Sequence, residues 1–256
     1  MLTPDELRET VDEYLAALPL GFDVGSLEEP VRYALESGGK RIRPVLCLAA
    51  ADAAGGAVEQ AVPAACALEL VHTFSLVHDD LPALDDDDLR RGRPSLHVAF
   101  GEGVAILAGD ALLAEAVRLA LSYDDPRIAR ELAEAALGMI DGQHRDITGD
   151  VADLEEVERL KTGRLFSAAV GLGVRAVGVP DEEQTPWRRF GDELGALFQV
   201  VDDILDGDGF AALLGEEGAR RLADDAAGRT RERLAALAAD TSVLRDLVDG
   251  LAIRTV

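Results

Sequence analysis

Residues Val58 to Val77 read VEQAVPAACALELVHTFSLV, and His78 to Pro94 continue HDDLPALDDDDLRRGRP. The first stretch is apolar without the period-two alternation of a half-buried strand. Its length and composition predict one long helix, apolar on more than one face, of the kind that fills the interior of a helical bundle. The second stretch carries six aspartates followed at once by three arginines. The apolar helix therefore delivers its C-terminal end to a concentrated acidic cluster. Asp79, Asp80 and Asp85 stand in the spacing DDxxxxD. On an ideal helix Asp85 would point about 120° away from Asp79. Pro82 forfeits a backbone hydrogen bond and distorts the turn around it. A break between Asp80 and Asp85 is thus expected, bringing Asp85 back beside Asp79. His72 lies two turns deeper on the face of Asp79, where a core histidine is the ordinary alternative.

The flanking sequence reads as helix in both directions. Thr3, Pro4 and Glu6 open the first helix with a capping box. LEEPVRYALES forms a second helix ending at Gly38-Gly39, and RIRPVLCLAAADAAGG a third, closed by Gly55-Gly56. Downstream, helical patterns run through residues 101–122, 125–150, 153–178 and 180–206, and two or three shorter helices follow. The helix over 187–206 is also expected to be apolar on more than one face. No alternating β-pattern, linker or internal repeat is found. One all-α domain over 1–256 is the economical reading.

Composition narrows the function classes. Of 256 residues, 48% are hydrophobic, enough for a sizeable core, and no run of eighteen uncharged apolar residues predicts a membrane span. The acidic, amphipathic N-terminus is unlike a targeting peptide. Two cysteines make no disulfide framework, so a reducing cytoplasm is the expectation. A formal net charge of -24 argues against nucleic acid and against anionic membranes. It does not exclude a small anionic substrate bound through metal ions or a local basic cluster.

A second acidic cluster, FQVVDDILD, holds Asp202, Asp203 and Asp206. Asp202 and Asp206 are four apart and share a helix face, with Gln199 one turn earlier. They interrupt an apolar helix instead of flanking one, and inward-facing hard oxygens suit Mg²⁺. The only lysines, Lys40 and Lys161, sit in the motif-like contexts GGKRIRP and KTGRL. Opposite unit charges 4 Å apart are worth roughly 4 kcal/mol at an effective dielectric of about 20. A diphosphate near carboxylates suffers repulsion on that scale, and divalent ions between them reverse the sign. Acids as metal ligands with arginines and lysines on phosphate form a coherent multi-Mg²⁺ diphosphate site.

The ordered segments GGKRIRP, HTFSLVHDDLPALDDDDLRRGRP, GDALL, GQHRDI, KTGRLF and FQVVDDILD mark out a stretch of roughly residues 25–207, the first beginning at Gly38 and the last ending at Asp206. With them the chain resembles the trans-polyprenyl diphosphate synthases, the farnesyl and geranylgeranyl diphosphate synthase family. Two aspartate-rich motifs joined to GGKRxRP are far more specific than one DDxxD. The resemblance implies an antiparallel all-α bundle around a deep central cavity, a homodimer, and head-to-tail prenyl transfer. Isopentenyl diphosphate would attack an allylic diphosphate (dimethylallyl, geranyl, possibly farnesyl), with the released pyrophosphate accepting the proton. Three Mg²⁺ ions are implied. Asp79 and Asp85 would ligate two, with Asp80 in support; Asp202 would ligate the third, with Asp203 and Asp206 nearby, partly through water. Arg90, Lys161 and Gln199 would hold the allylic diphosphate, and Lys40, Arg43, His72 and Arg91 isopentenyl diphosphate. Thr162 and Gln143 would line the reacting tails. Asp86, Asp87 and Asp88 are read as solvated or as orienting the arginines. Phe74, five residues before Asp79 and about 7.5 Å deeper along the helix, would floor the cavity and favour the fifteen-carbon product.

One departure stands out. After DDILD the family pattern continues with a lysine-bearing segment; here the chain reads GDGFAALLGEEGARRLADD, without lysine. A shortened connection after residue 206 is expected, putting closure of the site and its rate in question, because exposed carbocations are quenched by water. Alternatives are a geranylgeranyl diphosphate synthase, a modifying subunit of a heteromeric synthase, or a class I terpene cyclase, which would need no isopentenyl site.

Overall fold

The computed structural model describes residues 2–21, 27–149, 159–207 and 209–252. The predicted capping box is present: Thr3 Oγ1 accepts from the Glu6 amide at 3.3 Å and Glu6 accepts from the Thr3 amide at 2.8 Å. It starts α1 (Pro4–Ala17), followed by α2 (Glu28–Leu35) and α3 (Ile42–Ala53). The apolar stretch is α4 (Val58–Asp79), then come α5 (Leu96–Phe100), α6 (Glu102–Ala120) and α7 (Pro126–Thr148). A π-turn (Arg159–Gly163) leads into α8 (Arg164–Ala176). After it lie α9 (Thr185–Asp206), α10 (Gly209–Ala235) and α11 (Ser242–Ala252). The expected helix over 153–178 is seen only from Arg159; its first part, like most of the loop at 21–26, lies outside the described residues.

α4 is the axle of the bundle. It packs against α3, α6 and α8, and its small residues Ala61, Ala64, Ala65 and Ala67 are fully buried. By length and composition it could cross a bilayer, but the fold buries it instead among other helices. α9 is less enclosed than expected. Trp187, Phe190, Leu194 and Leu197 face the core, while Arg189, Asp192 and Ala196 face outward, so it is amphipathic. α10 is broken at Gly215, where φ is 71° and ψ is 161°.

One element corrects the reading of a chain without strands. Leu89–Arg90 and Arg93–Pro94 pair as a two-stranded antiparallel ribbon, Leu89 opposite Pro94 and Arg90 opposite Arg93. Arg91 and Gly92 form its tip, both with positive φ, which suits a two-residue hairpin turn. Strands of two residues are too short to leave an alternating pattern. The ribbon matters because it carries the arginine cluster.

Candidate active site

α4 ends at Asp79, and the chain then turns back. The Asp85 amide donates to the Asp79 carbonyl at 2.9 Å, and the Leu84 amide to the Leu81 carbonyl at 2.8 Å. The break around Pro82 therefore returns Asp85 to Asp79, as its spacing required. Burial, and then the Asp85 charge, push the Asp79 carboxyl up from 3.8 to about 6, against the pull of Lys161 and Arg90. Asp85 is also raised, first by burial. Asp80 plays another part: it is buried and accepts from Arg90 Nε at 2.9 Å and from Arg90 Nη2. Arg90 Nη2 also reaches Asp87 at 3.0 Å. Two carboxylates thus fix the Arg90 guanidinium at the end of the ribbon.

Below Asp79 opens a largely apolar cavity of about 380 Å³. Phe74, Leu76, His78, Met139, Ile140 and Ile147 line it, together with Gln143, Lys161 and Thr162. Lys161 Nζ donates to Asp146 Oδ2 at 2.5 Å, so the KTG and GQHRD segments meet across the cavity wall. Lys161 and Thr162 belong to the π-turn, a distortion often found where side chains must be re-aimed. Both side-chain polar atoms of Gln143 are buried without a partner among the described residues. A buried amide left unpaired is costly, and its place is the wall of this cavity.

A second cavity, also about 380 Å³, lies against the first. Lys40, Arg43, His72, Arg91 and Phe198 line it, and Arg43 and His72 border both cavities. The Arg43 guanidinium stacks 4.9 Å from the Phe166 ring centroid, its Nε without a partner among the described residues. Burial pulls its pKa down to about 10, which leaves it charged at neutral pH. Burial and then the Arg43 charge hold His72 well below its ordinary value, so the imidazole is neutral. The four residues expected to hold isopentenyl diphosphate are therefore together.

Sequence reasoning missed the scaffold beneath them. Arg41, left-handed at φ 48° and buried, donates to Glu69 at 2.7 Å, to Asp12 at 2.9 Å and to the Leu35 carbonyl at 2.6 Å. The signal was available: Glu69 is a charge in the middle of an apolar helix, far from either end, and a buried carboxylate demands a cation.

In the second acidic motif, Asp202 is raised by burial and then by Asp206, and Arg43 and Lys40 act on it from across the site. Asp203 is buried; it accepts from Gln199 Nε2 at 2.6 Å and from the Phe210 amide at 2.7 Å. Gln199 is the expected site residue set apart, lining a smaller cavity of about 170 Å³ between α9 and α10. α9 ends at Asp206 and α10 begins at Gly209, a connection of two residues, of which Asp208 lies outside the described ones.

The open carboxylates are Asp79, Asp85, Asp202 and Asp206. Among the described residues, no group of three or more such side chains converges enough to hold a metal on protein ligands alone. Mg²⁺ keeps several waters and binds through one or two carboxylates plus substrate phosphates. A sparse set of mutually repelling oxygens fits that ion arriving with a diphosphate.

Comparison with known proteins agrees with this geometry. The family model described as polyprenyl synthetase matches residues 24–225. The chain is 44% identical over 215 residues to geranylgeranyl pyrophosphate synthase 7, chloroplastic, of Arabidopsis thaliana, a match covering 78% of this chain and 62% of that protein. The chain thus spans about three fifths of that plant relative. It is 34% identical to the farnesyl diphosphate synthase of Bacillus subtilis, over 96% of this chain and 95% of that one. The crystal structure of an FPP/GFPP synthase from Zymomonas mobilis superposes with a TM-score of 0.87 at 30% identity, covering 97% of each chain.

Proposed function

The chain belongs to the polyprenyl synthetase family, and on that footing we propose that it joins isopentenyl diphosphate to an allylic diphosphate in a Mg²⁺-dependent head-to-tail condensation, with farnesyl diphosphate as the favoured product. One observation carries the reading: an apolar cavity ending at the Asp79 carboxylate abuts a basic cavity, and Arg43 and His72 form part of both walls. An allylic tail fits the first and the diphosphate of isopentenyl diphosphate the second. The two reacting carbons would then meet at the shared wall.

Each residue has a task in this scheme. Lys40, Arg43 and Arg91 hold one diphosphate by charge, and neutral His72 adds a hydrogen bond without competing charge. Arg90, fixed by Asp80 and Asp87, and Lys161, steadied by Asp146, face the allylic diphosphate. Asp79, Asp85 and Asp202 would hold Mg²⁺, three ions in all, whose charge would offset that of the leaving diphosphate. The allylic C–O bond breaks, the isopentenyl double bond attacks the cation, and the released pyrophosphate takes the proton. Phe74 and Met139 keep the cation dry, and the Gln143 amide, without a partner among the described residues, lies in the same wall. Stabilising the departing charge is the chief contribution of such a preorganised site.

Phe74, buried in the wall five residues before Asp79, supports the fifteen-carbon product. The homodimer draws support from exposed apolar side chains on α6 (Ile106, Leu107) and α7 (Leu137) that a second copy would cover. The two-residue connection after α9 is proposed to leave the site less well covered, giving slow turnover with some allylic alcohol. The test is incorporation of labelled isopentenyl diphosphate with dimethylallyl, geranyl or farnesyl diphosphate, with and without Mg²⁺. Farnesyl diphosphate as end product is expected; a twenty-carbon end product makes it a geranylgeranyl diphosphate synthase. No incorporation by the purified chain would refute the catalytic reading in favour of a modifying subunit. A hydrocarbon formed without isopentenyl diphosphate would indicate a cyclase.

A further inference from the structure

His78, next to Asp79, lines the apolar cavity. Its surroundings are specific. The ring meets Phe74, one helical turn earlier, edge to face, with centroids 4.9 Å apart and planes at 73°. Helical side chains lean toward the N-terminus, so the ring at position 78 lies over the ring at 74. On its other side, His78 Nε2 is 3.0 Å from the Ile106 carbonyl of α6. It occupies space that exists only because residue 109 is glycine. A Cβ on Gly109 would lie 2.2 Å from His78 Nε2 and 2.4 Å from Cδ2. Gly109 opens the GDALL segment, which has no other task in the site as described. Both His78 and Phe74 line the cavity.

We propose that His78 is a specificity-determining residue: wedged against Gly109 and bonded to α6, it holds the Phe74 ring across the cavity, so the pair sets the length of prenyl chain the site accepts. This rests on the proposed function, in which the cavity takes an allylic tail. Phe74 is a buried ring on a helix, and its freedom among staggered rotamers is only what its neighbours leave it. His78 removes that freedom from one side. Gly109 fixes how far the wedge sits back from the cavity.

Two changes therefore act in opposite directions. His78→Ala removes the wedge, lets Phe74 swing toward α6 and deepens the cavity. Gly109→Ala pushes the imidazole away from α6 into the cavity and makes it shallower. In the double variant the three atoms nearest the new Cβ, all of the His78 ring, are gone, and the behaviour is expected to return to that of His78→Ala. Interhelical packing without a role in specificity would lower stability in each variant and leave length preference untouched.

The test is calorimetric binding of non-reactive thiolodiphosphates with ten-, fifteen- and twenty-carbon chains, in Mg²⁺, to the full chain. His78→Ala is expected to improve twenty-carbon binding relative to fifteen by at least about tenfold, and Gly109→Ala to weaken fifteen relative to ten by a similar factor, the scale on which apolar pockets discriminate. If Gly109→Ala does not fold, His78→Ala, which only removes atoms, decides alone, and the recovery of folding in the double variant supports the wedge. Unchanged chain-length ratios in His78→Ala overturn the proposal. Wild-type protein that binds none of the three analogues refutes the allylic reading of the cavity, and the proposal with it, while length-independent binding refutes the proposal alone.

Discussion

Replacing Asp79 by Asn should make the metal-free protein more stable while removing its response to Mg²⁺. The structure sets both the size and the pH dependence. Burial and the Asp85 charge raise the Asp79 carboxyl from 3.8 to about 6. Ionised Asp79 is thus worse off in the folded chain than in the unfolded one. That penalty is full above pH about 6, fades as the folded chain takes up its proton between 6 and 3.8, and is absent below. A rise of about 2 units at about 1.4 kcal/mol each sets a ceiling of about 3 kcal/mol. Water and salt at the mouth reduce it, and about 1–2 kcal/mol is the expected gain at pH of about 7.5. For a chain of this size, that raises Tm by about 2–8 °C. The assay is thermal and urea unfolding of both proteins, in chelator, at pH of about 7.5 and below about pH 4. The variant should lead at the higher pH, and the lead should vanish in acid. With Mg²⁺ and pyrophosphate the order should reverse, because ligands that bind only the folded state stabilise it and the variant has lost a metal donor. An Asp79→Asn variant that melts below wild type at both pH values would refute the reasoning: Asp79 would then be held by contacts and not strained by unmet charge.

Three further outcomes follow from the geometry. Phe74→Ala should lengthen the product beyond fifteen carbons, at a cost of up to about 3 kcal/mol in stability; chromatography of labelled product showing unchanged length would count against the floor. Glu69→Gln keeps an acceptor for Arg41 but leaves its buried charge offset only by half-exposed Asp12, and should cost up to about 3 kcal/mol in denaturant unfolding, with a raised KM for isopentenyl diphosphate; an unaltered midpoint speaks against the scaffold role. Gly209→Ala places a Cβ 2.1 Å from Asp203 Oδ2 at a φ of +44°, so about 1–3 kcal/mol of strain should appear as lost stability and lost activity together, and a silent substitution would mean that the α9–α10 junction is not constrained as described.

The helices were legible because their signals are local. The Thr3 capping box, the apolar run of α4 and the glycines after α2 and α3 each declare an element within a few residues. The break at Pro82 was legible for the same reason: no straight helix can aim Asp79 and Asp85 at one point. The ribbon at Leu89–Pro94 was not, since two-residue strands have no period. Nor were the Arg41–Glu69 pair and the His78–Gly109 contact, which join residues 28 and 31 positions apart. Their signs in the sequence are single: one charge in an apolar helix, one glycine where a side chain would be tolerated. Such signs say that a partner exists without naming it.

The doubled aspartates show how structure divides a motif that sequence treats as a unit. Adjacent residues on a helix point about 100° apart, so two neighbouring carboxylates cannot both face one ion. In each motif one turns outward and one inward. Asp79 and Asp202 face the mouth, and burial with a second carboxylate, Asp85 or Asp206, raises both. Asp80 and Asp203 are buried and fully engaged, Asp80 on Arg90, Asp203 on Gln199 and the Phe210 amide. The inner aspartate of the first motif thereby aims Arg90, the arginine proposed to bind phosphate. The inner aspartate of the second caps the start of α10 at the two-residue connection, where the family pattern would place a longer, lysine-bearing segment. On the proposed function a shorter segment would leave the mouth with less cationic cover, but the anchor of the chain that follows is still supplied from within the motif, by Asp203 on the Phe210 amide. What the short connection puts at risk is therefore the covering of the leaving group and not the placement of Asp202 and Asp206, and its effect should fall on turnover before it falls on metal binding.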